Sequence, residues 1–232
     1  MTERGLFRTV RAALIAGVAI FAISACGGEA PAPSSTTESV PAAGAVAESR
    51  TFAEGDYFRV LENPVQTDRT EPFIVEYFWA GCPACQRFEP IIQGVKQAFP
   101  EAPVVRLHAV FNQRWALDAR IYHAASEIAG RDVGTEMLGF YQSHAPDLPD
   151  FADLSVFFQQ QGLDEEAVFD LADSPSVVSI MEQTFNEMQS NEIPGVPAVV
   201  VNGRYLVKNP LPEDIQNQED YNQLIDYLLS LD

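Results

Sequence analysis

The chain has 232 residues, 47% hydrophobic and 20% charged, enough to bury one sizeable core with an inserted subdomain and too apolar to be disordered as a whole. Its formal net charge is −19, and setting Met1 to Ala25 aside leaves 11 basic and 32 acidic side chains, or −21. A surface of that sign repels phosphate backbones and anionic headgroups, which excludes nucleic-acid binding and electrostatic membrane docking.

The first 26 residues carry a basic start (Arg4, Arg8, Arg11), an apolar run from Ala12 to Ile23 and small residues before Cys26. The run is short of the about 20 apolar residues that span a bilayer. Ile23-Ser24-Ala25-Cys26 resembles the lipobox of bacterial lipoproteins, which implies a signal peptide over 1–25 and a lipidated Cys26 as first mature residue. The alternative is an ordinary signal peptide with a cysteine at its cleavage site. Residues 26–50 follow as lipid attachment point and tether, rich in Ala, Pro, Ser, Gly and Thr, with a mean reach of roughly 25–30 Å as flexible coil. The expected location is periplasmic, membrane-anchored through Cys26, in either the inner or the outer membrane.

The folded part is expected over 51–232. A short strand is predicted at Tyr57 to Leu61, and the continuous aromatic and β-branched run Phe73 to Trp79 reads as a strand buried on both faces. From Pro83, Phe88, Ile91, Ile92, Val95 and Phe99 recur at helical spacing until Pro100 closes the segment. Val104 to Val110 is a second strand, so the stretch forms a β-α-β unit with parallel strands.

Between about residues 112 and 192 the pattern is helical, with helices predicted over Arg114–Ala129, Val133–Ser143, Leu154–Gln161, Glu165–Leu171 and Pro175–Ser190. Ala198 to Val201 and Arg204 to Val207 flank Asn202-Gly203, a type I′ hairpin signal. An amphipathic helix from Asp220 to Leu231 closes the chain. This is the order of an α/β thioredoxin-like fold with an all-helical insertion between the β-α-β unit and the C-terminal hairpin and helix.

With Cys26 assigned to lipid, the exported domain holds only Cys82 and Cys85, so it has no disulfide framework, and a close-spaced pair points to chemistry. Cys82-Pro83-Ala84-Cys85 sits where a buried strand ends and a helix begins. The free N–H groups and positive dipole end of that first turn stabilise a thiolate, so Cys82 is expected to be acidic and nucleophilic. Pro83 costs little at a position whose N–H has no helical partner. Cys85, one turn on, is placed to resolve a mixed disulfide. Zinc would need about four ligands, and His108, His123 and His144 do not occur at ligand spacing; each is expected at the surface or the edge of the core. Glu76 is the one charged residue in its strand; buried, it would have a raised pKa and could exchange a proton with the Cys85 sulfur, whereas at an exposed edge or beside an arginine it would be structural.

Glu76 to Cys85, the helical insertion, and Gly195-Val196-Pro197-Ala198 before Val201-Asn202-Gly203-Arg204-Tyr205 resemble the DsbA family of bacterial thiol:disulfide oxidoreductases over roughly residues 55 to 231. The resemblance implies an exposed attacking Cys82 and a resolving Cys85. It also implies a cis Pro197 facing the pair, Val196 offering its backbone to a polypeptide, and a proton-exchange role for Glu76. It further implies no cofactor beyond the Cys82-Cys85 disulfide. The implied partners are reduced exported polypeptides and a membrane redox partner such as a DsbB-like quinone reductase. Many oxidising members carry His where this chain has Ala84, so Pro83 and Ala84 are expected to tune the pair, here toward a less acidic Cys82.

The rivals are a reductase or isomerase of the same fold and a Cu(I)-binding metallochaperone using the two thiolates. Isomerases of this group usually dimerise through an added N-terminal domain, for which residues 27–50 are too short and polar; the chain is expected to be a monomer.

Overall fold

The computed structural model describes residues 50–65 and 70–231, and the expected signal segment, Cys26 and most of the tether lie outside them. Five strands, β1 (Phe58–Val60), β2 (Ile74–Phe78), β3 (Val104–His108), β4 (Ala198–Val201) and β5 (Tyr205–Val207), form one sheet in the order β1-β5-β4-β2-β3. Only β2 and β3 are parallel, joined by α1 (Pro83–Ala98) as a crossover connection; the other pairings are antiparallel. The mixed sheet with a β-α-β unit, a helical insertion and a closing helix is a thioredoxin-like fold.

All five residues of β2 are buried, which is why this strand reads as a continuous apolar run without alternation. Its side chains still alternate in direction. Ile74 packs with Ile92 and Val95 of α1 and with Tyr221, Leu224, Ile225 and Leu228 of α7 (Gln218–Leu229), while Val75 and Tyr77 pack on the opposite face with Val200, Leu206 and Met188. Glu76 therefore shares the face of Ile74 and Phe78, beneath α1.

Between β3 and β4 lie α2 (Gln113–Ala129), α3 (Gly134–Ser143), α4 (Phe151–Gln161), α5 (Glu165–Ala172) and α6 (Pro175–Ser190). Their core, with Tyr122, Met137, Leu138, Phe157 and Phe158, is continuous with Phe78, Ala80 and Cys85 of the sheet side. The insertion is thus packed against the redox end of the β-α-β unit.

Two helices begin earlier than their apolar spacing indicates. The Asp150 carboxylate accepts the Asp153 N–H at 3.0 Å while Asp153 accepts the Asp150 N–H at 2.9 Å, a capping box that starts α4 at Phe151 instead of Leu154. Asn217 likewise accepts the Asp220 N–H and starts α7 at Gln218. The hairpin carries positive φ at both Asn202 (50°) and Gly203 (66°), as a type I′ turn requires. A Cβ on Gly203 would lie 2.7 Å from the Val65 carbonyl oxygen, so a side chain there is excluded as well as strained.

Candidate active site

Cys82 is the N-cap of α1. Its backbone is extended, its sulfur accepts the Cys85 N–H at 3.4 Å, and Pro83 opens the first turn. Both cysteines are free thiols; Cys82 is half-buried and Cys85 has no exposed surface. The Cys85 thiol donating toward the Cys82 sulfur is the largest influence on Cys82 and lowers its pKa; burial opposes it, the Cys85 and Ala84 backbone N–H groups and the Arg87 charge assist, and the result is about 6. At pH 7 such a thiol is mostly thiolate, whereas an ordinary one near about 8.5 is mostly protonated. The same contact, together with burial, drives Cys85 far above the ordinary thiol range.

The strand-to-helix turn is held from several sides. Cys82 N–H donates to the Trp79 carbonyl at 3.0 Å, the Gln86 amide donates to the Ala80 carbonyl at 3.0 Å, and the Ala80 N–H donates to His108 Nε2 at 3.3 Å. A Cβ on Gly81 would come within 2.6–2.8 Å of the Trp79 ring and Leu148, so a side chain there requires these two to shift. Trp79 stacks on Trp115 at 4.3 Å and donates from its indole to Asp118 at 2.8 Å. Asp118, fully buried, also accepts from Arg114 Nε at 2.9 Å and the Tyr141 hydroxyl at 2.7 Å. The insertion is wired to the turn that carries Cys82.

Opposite the pair, the Val196–Pro197 peptide is cis, and the Cys82 sulfur lies 3.7 Å from the Val196 carbonyl oxygen. The Pro197 carbonyl accepts from the Asn209 side chain at 2.8 Å. Val196 and Pro197 line a surface cleft of about 600 Å³ that continues toward β5 and β1.

Glu76 is both buried and paired. The parallel register of β2 and β3 sets it opposite Arg106, whose Nε donates to its Oε2 at 2.6 Å. Burial, the dominant influence, outweighs the Arg106 charge and pushes the carboxyl up to about 7; Oε1 has no hydrogen-bond partner. The Glu76 charge adds to the upward push on Cys85. Arg106 also donates to Glu89 and to Thr135 at 3.2 Å, and lies 3.6 Å from Asp132.

The expectation that each histidine lies at the surface or core edge is corrected for His108, which has no exposed surface: burial lowers its pKa to about 3, and the neutral ring uses both nitrogens, Nδ1 toward the Ala109 carbonyl at 3.0 Å and Nε2 toward Ala80. His123 is lowered to about 3 by burial too. The sequence reading missed Arg106, Asp118, Trp115 and Gln86 as site residues. For Arg106 and His108 a signal existed: both interrupt a run read as a strand, and the parallel register would have placed them beside Glu76 and Phe78.

A thioredoxin-like sheet that holds an acidic thiol and a buried partner at the mouth of its first helix, facing a cis-proline loop, defines a thiol:disulfide oxidoreductase. Residues 73–219 match the family model of the DSBA-like thioredoxin domain, and the chain belongs to that family. It is 26% identical over 165 residues to the thiol:disulfide interchange protein DsbA of Pseudomonas aeruginosa, covering 70% of this chain and 78% of that protein. It is 28% identical over 157 residues to the protein of the same name from Burkholderia cepacia, covering 66% and 74%. The crystal structure of Pseudomonas aeruginosa DsbA superposes with a TM-score of 0.64 at 26% identity, over 77% of this chain and 93% of that one.

Proposed function

We propose that this oxidoreductase works as a dithiol oxidase: its Cys82-Cys85 disulfide passes to reduced exported polypeptides and is restored by a membrane redox partner. The observation that carries the direction is the thiolate bias of Cys82 at about 6, because stabilising the dithiol form makes the disulfide a stronger oxidant. In the forward step a substrate thiolate attacks the Cys82 sulfur, the Cys82–Cys85 bond breaks, and Cys85 leaves with the electron pair. Cys85 binds a proton avidly, and Glu76, near 7 and acting on Cys85 through its charge, supplies it. A second substrate thiolate then attacks the substrate sulfur of the mixed disulfide, and Cys82 departs as a stable thiolate. Val196, with its carbonyl at the Cys82 sulfur, offers its backbone to the substrate chain, and Pro197 shapes that surface.

The test is the reduction potential in glutathione buffers, together with the rate of oxidation of a reduced two-cysteine peptide. A potential above that of the glutathione pool with rapid peptide oxidation is expected; a potential well below it, with efficient reduction of a disulfide peptide instead, would assign the chain to reductase work.

Pro83 and Ala84 set the tuning between the cysteines. The Ala84 N–H already helps hold the Cys82 thiolate, and a His side chain at this position adds a second donor. Ala84→His should lower the Cys82 pKa and raise the potential by some tens of millivolts, since a charge-assisted hydrogen bond is worth roughly 1.5–3 kcal/mol and 30 mV corresponds to about 1.4 kcal/mol. Thiolate absorbance against pH and glutathione equilibration report both quantities, and unchanged values would refute local tuning.

The location we propose is periplasmic, with Cys26 lipidated, residues 1–25 removed as signal and 26–50 as tether to a monomeric catalytic domain. No helix of the described residues is long and apolar enough to cross a membrane. Once residues 1–25 are removed, Cys26→Ala should release the protein into the soluble periplasmic fraction with its oxidase rate intact, because lipid and tether supply location only. Continued membrane retention would contradict the anchor.

A further inference from the structure

The ion pairs distribute the positive charge unevenly. Seven of the ten described Lys and Arg side chains sit against a carboxylate, and the three that do not are Arg59, Arg87 and Lys208. Arg87 is the cation whose charge acts on Cys82. Arg59 and Lys208 belong to one surface feature, the cleft of about 600 Å³ that starts at Val196 and Pro197.

Strand register places the two together. Arg59 of β1 is opposite Leu206 of β5, and the Lys208 N–H donates to the Tyr57 carbonyl at 2.8 Å, so Arg59 and Lys208 are diagonal neighbours on one face of the sheet. Each spends its hydrogen bonds on backbone carbonyls: Arg59 Nη2 on Asn191 and Glu192, and Lys208 Nζ on Gly55 at 3.0 Å. Neither cation is neutralised by these bonds. Glu192 also reaches the rim, so the cleft carries two cations against one carboxylate in a chain of net charge −19. Ile193, Pro194 and Leu206 supply apolar walls.

We propose that this cleft is a specificity site that takes an acidic side chain of the polypeptide whose cysteine is at Cys82, a proposal that rests on the reading of Val196 as the substrate-binding backbone. Sheet geometry fixes the distance. Lys208 follows β5 next to the Pro197 strand, and Arg59 lies one strand further, so the cations are about 5–10 Å from the cis-proline loop at 4.7–4.9 Å per strand. An extended peptide rises about 3.3 Å per residue, so the acidic residue belongs about two or three positions from the cysteine. The local positive field would draw acidic segments to a protein whose overall charge repels them.

The test uses cysteine peptides that differ only in Asp or Asn at two and at three positions on either side of the cysteine, and the same peptides with serine for cysteine. The wild-type protein is expected to show a kcat/KM about three- to tenfold higher for one of the Asp peptides, falling with added salt, and the matching serine peptide to bind tighter by a similar factor. Lys208→Gln should bring the Asp-to-Asn ratio close to one and Lys208→Glu should invert it; Lys208 is the residue to change because Arg59 also holds the carbonyls leading into the cis-proline loop. Equal kcat/KM and binding for every Asp and Asn pair, or a preference that survives Lys208→Glu, would overturn the site. If no cysteine peptide is oxidised while serine peptides keep the Lys208-dependent preference, the oxidase reading falls and the acidic site stands.

Discussion

Replacing Cys82 with Ser should reduce disulfide transfer to the uncatalysed level, whereas replacing Cys85 with Ser should leave a protein that attacks once and stays attached to its target. The asymmetry follows from exposure and acidity together. Cys82 reaches solvent and is mostly thiolate at pH 7, while Cys85 has no exposed surface and holds its proton far above the ordinary thiol range. In the Cys85→Ser protein the Cys82 thiolate still attacks a disulfide-bonded target, its S–S bond breaking and one target sulfur leaving as thiolate, and position 85 then offers no thiol to resolve the mixed disulfide. Non-reducing gels of whole-cell extracts should show trapped adducts for Cys85→Ser and none for Cys82→Ser. Adducts on the Cys82→Ser protein instead would make Cys85 the attacking sulfur.

Much of this site was legible in the sequence because its parts obey local rules. A cysteine at a helix mouth, a proline in the first turn and an Asn-Gly hairpin each follow from backbone geometry within a few residues. The β-α-β unit is equally visible from its periodicity. What stayed hidden depends on contacts across strands and between layers. Arg106 lies thirty positions from Glu76, and only the β2–β3 register shows that the carboxylate is at once buried and paired, where the sequence offered these as alternatives. His108 lies in a run whose apolar neighbours declared a strand, and its burial follows from a neutral ring that satisfies both nitrogens inside the core. Asp118 has the pattern of an ordinary i,i+4 partner for Arg114; that it also accepts from Trp79 and Tyr141 depends on how the insertion docks. The edge position of β1, and hence Arg59 beside Lys208, required the β1–β5 pairing.

Removing the cation beneath the active site should have the largest effect on stability. Arg106 has no exposed side-chain surface and is the shared partner of Glu76, Glu89 and Asp132. Glu89 and Asp132 retain some exposure and can be hydrated when the cation goes; Glu76 is fully buried and cannot. Breaking one side of a buried pair typically costs about 3–5 kcal/mol, so Arg106→Met should unfold at markedly lower denaturant concentration at pH 8. The loss should shrink toward pH 5, and the sign follows from the carboxyl. Its folded pKa, about 7, lies above the unfolded value near 4.5, so its contribution to stability is fully present below about 4.5 and is lost as pH rises through 7. Arg106 is the main influence holding that pKa down, and without it the folded value climbs further, so the variant's extra deficit appears above pH 7, where wild-type Glu76 is charged and paired. Glu76→Gln in the Arg106→Met background removes the buried charge and should recover most of that alkaline deficit while losing the proton donor proposed for Cys85. Stability would then return without the rate of disulfide transfer. If the double variant were as unstable at pH 8 as Arg106→Met, Arg106 would act through packing and through Glu89 and Asp132; if it transferred disulfides at the wild-type rate, Cys85 would draw its proton from elsewhere.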